Sequence, residues 1–362
     1  MEKQILKILT AVLLVCMGLA ACGSQAEIPS YDEGEYNPTP TMYEEYSGDV
    51  WEEITPTEVP EVTEEVVPTP EIYKPILWEE AGLKDHVMDW KDKDLEKAMR
   101  EVTGITKGDI MLSDVWEISK LNFFSKSIED ISALSELKNL RTLKLSFNWV
   151  TDVSALSELT NLTELDLTYN QVTNIDALAG LTNLTRLELV GNRIKDISAL
   201  SDLKSLTLLR LGDNKFSDIS ALSGLTKLTC LDLSGNSISD IRALSKMTNL
   251  TQLTLYNSNI SDISVLSKMT GLTILGLSNN NISDISALSE MKSLTMLGLD
   301  NNNIGDISVL SEMKSLTMLG LSNNNISNIK VLSKLKKLTE VDLSNNNIVD
   351  YSPVDHVQNV TK

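Results

Sequence analysis

Histidine is nearly absent from this chain of 362 residues; His86 and His356 are the two, close to opposite ends of the repetitive region. That scarcity leaves no His-based nucleophile–base pair and no His-rich metal site to be built from sequence neighbours. Cysteine is almost as scarce: Cys16, Cys22 and Cys230 are the three. The first two belong to the N-terminal apolar stretch, so Cys230 has no partner for an internal disulfide and the fold must rest on core burial. No Gly-x-Ser-x-Gly elbow, phosphate-cradling glycine loop or Cys–His pairing occurs. The longest apolar run, residues 8–17, is too short for a comfortable transmembrane helix. Basic residues are outnumbered, 31 Lys and Arg against 51 Asp and Glu, which argues against nucleic acid as a partner.

The charge is unevenly placed. Between residues 23 and 80, 16 acidic residues face Lys74 alone, and eight of the nine prolines fall there. An acidic Pro-, Thr- and Glu-rich segment with little aliphatic content cannot bury enough surface to fold. It reads as an extended, disordered stalk over residues 22–80. Tyr31, Tyr36, Tyr43, Tyr46 and Trp51 within it are either incidental or a short recognition segment. Ahead of it, Lys3 and Lys7 precede the apolar run, and Leu19-Ala20-Ala21-Cys22 follows. A basic start, a short apolar stretch and small residues before a cut make a secretory signal over residues 1–21. The ending resembles the bacterial lipoprotein lipobox. That resemblance implies lipidation of Cys22 and a protein anchored on the extracytoplasmic side of a bacterial membrane.

What is abundant is repetition. Asparagine returns every 22 residues at Asn148, Asn170, Asn192, Asn214, Asn236, Asn280, Asn302, Asn324 and Asn346, and Ser258 fills the missing rung. Each rung closes the frame L-x-x-L-x-L-x-x-N-x-I, as in Leu272, Leu275, Leu277, Asn280 and Ile282. A fixed period of this length signals a stacked solenoid, and the frame is that of a leucine-rich repeat. Alternation before the rung predicts a short strand, with Leu297 and Leu299 inward and Met296 and Gly298 outward. The asparagine amide, both donor and acceptor, serves backbone groups stranded at the turn. The spacing of Ile282, Ile285 and Leu288 predicts a 3₁₀ turn on the return path. Asp130, Asp152, Asp196, Asp218, Asp240, Asp262, Asp284, Asp306 and Asp350 recur at its start. One carboxylate per repeat suits capping and lacks the clustered oxygens of a calcium loop, so neither metal nor cofactor is expected.

The run Asn-x-Ile-Ser-Asp-Ile-Ser-x-Leu-Ser, the 22-residue length and the Leu/Asn frame resemble the bacterial internalin-like leucine-rich repeats. The resemblance covers roughly residues 92–355 and implies an α/β-type solenoid. Such a fold has a curved parallel sheet on its concave face, short 3₁₀ turns on its convex face and an N-terminal helical cap. The cap is expected over residues 81–114, with Asp94 as N-cap, Leu95, Ala98, Met99 and Val102 on one helical face, and Gly104 as the stop. About eleven repeats are expected over residues 115–350, followed by a short end at 351–362. The family binds different proteins through different concave residues, so the resemblance names no partner.

Partner choice must lie in the outward strand positions. In the N-terminal half these mix charges of both signs, as Lys144, Glu164, Asp166, Arg186, Glu188 and Arg210. Carboxylate pairs such as Glu164 with Glu188 suit a solvated face better than glycoside hydrolysis. Leu208 and Cys230 follow, the latter a passive residue with Asp232 near it. Towards the C-terminus Ile274, Met296 and Met318 each stand beside a glycine, Gly276, Gly298 and Gly320, with Tyr256 at one edge. Leu208, Tyr256 and this apolar strip are the predicted partner-binding surface. Recent duplication of one repeat explains the same pattern without contact. The expected function is protein binding by a monomeric, non-enzymatic surface lipoprotein; a self-associating display module and a glycan-binding protein are the alternatives.

Overall fold

The computed structural model describes residues 75–78 and 82–362. The predicted signal, Cys22 and most of the acidic stalk lie outside the described residues. From Lys120 onward the chain winds into twelve parallel strands, each of three residues. They are β1 (Lys120–Asn122), β2 (Thr142–Lys144), β3 (Glu164–Asp166), β4 (Arg186–Glu188), β5 (Leu208–Arg210) and β6 (Cys230–Asp232), then β7 (Gln252–Thr254), β8 (Ile274–Gly276), β9 (Met296–Gly298), β10 (Met318–Gly320), β11 (Glu340–Asp342) and β12 (Asn359–Thr361). Each strand pairs with its sequence neighbours, so the sheet is open and strand order follows the chain. Register is in step with the period: Leu275 faces Leu297 and Leu297 faces Leu319. The fold is a leucine-rich-repeat solenoid with 3₁₀ turns on its return path.

The inward frame makes the core. In one repeat Leu272, Leu275, Leu277, Ile282, Ile285 and Leu288 are all at most 2% exposed. Burying one such side chain contributes roughly 1.5–3 kcal/mol, and stacking repeats it along the sheet. On the return path Leu288 N–H donates to Ile285 O at 3.0 Å, the i to i+3 bond of a 3₁₀ turn. The preceding Asp284 Oδ1 accepts from Ser286 N–H at 2.8 Å. The same bond recurs from Ser198 to Asp196 and from Ser264 to Asp262, so the carboxylates are caps.

The asparagines work across the stack. Asn280 Nδ2 donates to Leu277 O of its own turn at 3.0 Å and to Leu255 O of the preceding turn at 2.9 Å. Its Oδ1 accepts from Ile260 N–H, also in the preceding turn, at 3.0 Å. Each intact rung thus ties its repeat backwards to the one before it. A second ladder escaped the sequence reading: Thr273 Oγ1 donates to Thr251 O and Thr295 Oγ1 to Thr273 O, each at 3.0 Å.

Both ends are covered. Helix α1 (Lys93–Thr103) buries Leu95, Ala98 and Met99 and ends at Gly104, φ 74°. Its N-cap is Asp92, where Asp94 was expected. Asp92 Oδ1 accepts from Asp94 and Leu95 N–H, and its Oδ2 accepts from Glu129 and Asp130 N–H, clamping the cap to the first repeat. Val102, expected on the buried face, is 49% exposed. A short second helix, α2 (Leu112–Val115), buries Leu112 and Val115. At the far end, a 3₁₀ turn at Ser352–Val354 and strand β12 extend the array past residue 350 and bury Val354 and Val357.

Candidate functional site: the concave face

The three-residue strands place one inward residue between two outward ones. The outward residues form two columns on the concave face, and the position after the next leucine forms a third. In β3–β5 the columns are charged and linked across strands. Arg186 Nε lies 3.2 Å from Glu164, and Arg210 Nη1 lies 3.0 Å from Glu188. Parallel strands about 4.8 Å apart bring such side chains into register. Beside them Lys120, Leu121, Asn122, Thr142, Lys144 and Glu164 line a hollow of about 300 Å³.

The C-terminal half differs from expectation. Ile274 and Met318 are only half-buried, but Met296 is 8% exposed. Gly276, Gly298 and Gly320 are buried as well. The strip is not a prominent exposed patch: Ile274, Met296 and Met318 are in register on adjacent strands, and the glycines beside them are buried. Tyr256 and Leu208 are half-buried in their own turns, several strands from Met318. Behind the strip the third column is closed. Asp300 is 2% exposed between Ser278 and Ser322. Its Oδ1 accepts from Ser322 N–H at 2.9 Å and Ser322 Oγ at 2.8 Å, and its Oδ2 from Ser278 Oγ at 3.1 Å. Burial nevertheless pushes its carboxyl up to about 6, against the pull of those hydrogen bonds. Cys230 is half-buried, and burial raises its thiol despite Arg210 nearby, in keeping with a passive residue. Among the described residues no group of His, Cys, Asp or Glu could hold a metal ion.

The sequence reading missed a row of aromatics at the edge of this face. The residue before each rung takes a left-handed backbone. It is asparagine in five turns, Asn257, Asn279, Asn301, Asn323 and Asn345, with φ between 52° and 56°. Glycine stands there at Gly191 and Gly235, and aspartate at Asp213. In the first turn the same position holds Ser125, φ 52°, and in the next two Phe147, φ 59°, and Tyr169, φ 51°. Phe124 extends the row, with ring centroids 5.3 Å from Phe147 and Phe147 4.8 Å from Tyr169. Phe124 is 37% and Tyr169 48% exposed. Reading down that one column of the 22-residue period would have exposed the substitution.

Fold and face together define a leucine-rich-repeat solenoid, and comparison with known proteins refines the assignment. The family described as "Leucine Rich repeats (2 copies)" matches residues 138–180, 160–202, 182–224, 226–268, 270–312 and 314–356. The crystal structure of an internalin, InlF, from Listeria monocytogenes is 31% identical, with 74% of this chain and 94% of that one covered and a TM-score of 0.54. The functional domain of InlJ from the same organism is 25% identical, covering 77% of this chain and 61% of that one, TM-score 0.69. A leucine-rich-repeat protein of Leptospira interrogans is 25% identical over 68% of this chain and 67% of its own, TM-score 0.64. No curated protein sequence matches the chain. The chain belongs to the leucine-rich-repeat proteins, in their internalin-like form. The InlJ domain is described as including a cysteine ladder; here the ladder is asparagine, and Cys230 is the single cysteine among the described residues.

Proposed function

We propose that this protein is a bacterial surface lipoprotein whose repeat domain captures a protein partner on its concave face. The observation that carries the reading is the contrast between frame and face. The inward leucines and the asparagine rungs hardly vary, while the outward columns change from charged in β2–β5 to apolar and flat in β8–β10. A solenoid that only filled space would need no such change, whereas a long concave surface with local character suits recognition. Binding is favoured over catalysis because Glu164 and Glu188, the carboxylates a glycoside hydrolase would need free, are engaged by Arg186 and Arg210. The anchor reading rests on Leu19-Ala20-Ala21-Cys22.

The test is saturable capture by the full-length protein from bacterial and host surface extracts, repeated with two double variants. Arg186→Glu with Arg210→Glu disturbs the charged half; Ile274→Ser with Met318→Ser disturbs the apolar strip. Loss of about tenfold or more in affinity in one of the two locates the contact. Capture indifferent to both pairs would remove the concave face from the account.

A further inference from the structure

We infer that the edge aromatics and the lysine hollow at the N-terminal end form one docking site for an acidic protein segment, one in which carboxylates stand next to an apolar or proline side chain. The inference rests on the protein-binding reading above and gives it a location and a partner chemistry.

Three observations meet here. The first is conformational. A bulky side chain seldom occupies the left-handed backbone region, and five other turns place asparagine there, the residue that tolerates it. Phe147 and Tyr169 hold that conformation at a local cost, and strained residues of this kind cluster at ligand clamps. The second is packing. The Tyr169 ring lies over Gly191 so closely that a Cβ there would collide with it. Gly191 therefore gives the ring its seat, and the row ends where the glycine begins. Tyr169 remains half in solvent, so the core does not account for its presence.

The third is charge. Lys120 and Lys144 are exposed, and neither forms an ion pair among the described residues. Glu164, the one carboxylate at the hollow, is engaged by Arg186 at 3.2 Å. In a chain of net charge −20, this hollow of about 300 Å³ presents two uncommitted cations. Asn122 and Lys144 line it and lie two and three residues before Phe124 and Phe147, so hollow and row are parts of one surface.

Ring geometry selects peptide over sugar. Phe124 and Phe147 are inclined by 59°, and Phe147 and Tyr169 by 40°. Tilted rings leave clefts that take a proline or aliphatic side chain; a sugar face needs a flat platform. The lysines supply the complement for neighbouring carboxylates, which steers association and fixes register.

The test uses the full-length protein and a panel of short synthetic peptides carrying Glu-Glu beside Leu, Pro or Trp, with Lys-Lys twins, and oligogalacturonate as an acidic glycan probe. The Glu peptides should bind and their Lys twins should not. Phe147→Asn with Tyr169→Asn installs the residue the other turns use, and should weaken binding about tenfold or more while leaving the melting midpoint unchanged or higher. Lys120→Gln with Lys144→Gln should weaken it too and raise its salt tolerance. Overturning results are equal binding of Glu and Lys peptides, no binding of any Glu peptide, preference for oligogalacturonate, or a lower melting midpoint in the asparagine variant. If that variant still captures a surface protein at full strength, the general binding reading stands and this location falls.

Discussion

Asn280 shows why a 22-residue period can be held so strictly. One amide satisfies two carbonyls and a backbone N–H in two successive turns, and it is 7% exposed. Water cannot replace it there, so Asn280→Ala should cost roughly 2–4 kcal/mol, read as a lower thermal or denaturant midpoint. Asp300 makes the opposite case, a buried charge the fold tolerates poorly. Its carboxyl titrates at about 6 in the folded chain, above the ordinary 3.8. A raised acid favours the protonated native state, so its penalty is fully present above pH 6 and is relieved as the pH falls from there towards 4. Asp300→Asn should stabilise the protein on the order of 2 kcal/mol at pH 8, and the gain should shrink at pH 5; melting curves of both proteins at the two values check this. Asp240 acts in the other direction. Its hydrogen bonds to Arg242 hold it at about 2, so its contribution is present above pH 4 and is lost in stronger acid. The rungs and the caps were legible in sequence because each repeats a chemical need at fixed spacing. The burial of Asp300 and Met296 was not, because it depends on what neighbouring strands place beside them.

At the scale of a single turn, the ladder has one seam. Asn236 Oδ1 and Ser258 Oγ are buried and have no hydrogen-bond partner. In the intact rungs that oxygen accepts from the N–H 20 residues earlier, as Asn302 does from Ile282 and Asn324 from Ile304. A serine hydroxyl is too short to span the gap, and Phe216 stands where most turns carry Ile or Val at the residue the Asn236 oxygen should serve. Since each solenoid repeat is held only by its neighbours, weaker ties here should divide the array into two cooperative units. Native-state hydrogen exchange should show lower protection in the turns between residues 214 and 260 than in those flanking them. Ser258→Asn should restore protection and add about 1 kcal/mol; an unchanged exchange pattern would dismiss the seam. The missing rung was visible in the sequence as a tolerated weak position. The unmet Asn236 oxygen one turn earlier was not, because that residue keeps the consensus identity and only geometry betrays it. The caps show the same limit: a helix and its Gly104 stop were readable, but the choice of Asp92 over Asp94 depends on the two N–H groups of the first repeat that Asp92 also binds.

Among the described residues the sheet is open and the two ends of the repeat array are closed by different means, helices before β1 and a short turn with β12 after β11. The architecture was legible because inward leucines must recur wherever a strand cannot bury its face alone. The proposed binding surface was legible only as a set of columns. Its prominent feature, the aromatic row, sits at a turn position that the strand alternation does not single out. Beyond the repeats, the anchor proposed at Cys22 makes a separate prediction: Cys22→Ser should move the protein from the membrane fraction to the soluble fraction, and unchanged fractionation would end the lipoprotein reading. The central claim is that the concave face binds a protein. Hydrogen–deuterium exchange of the full-length protein, free and saturated with a captured partner, tests it most directly. The account predicts new protection concentrated in β1–β5 and in the turns carrying Phe124, Phe147 and Tyr169. Protection confined to the convex 3₁₀ turns, with the concave strands unchanged, would contradict it.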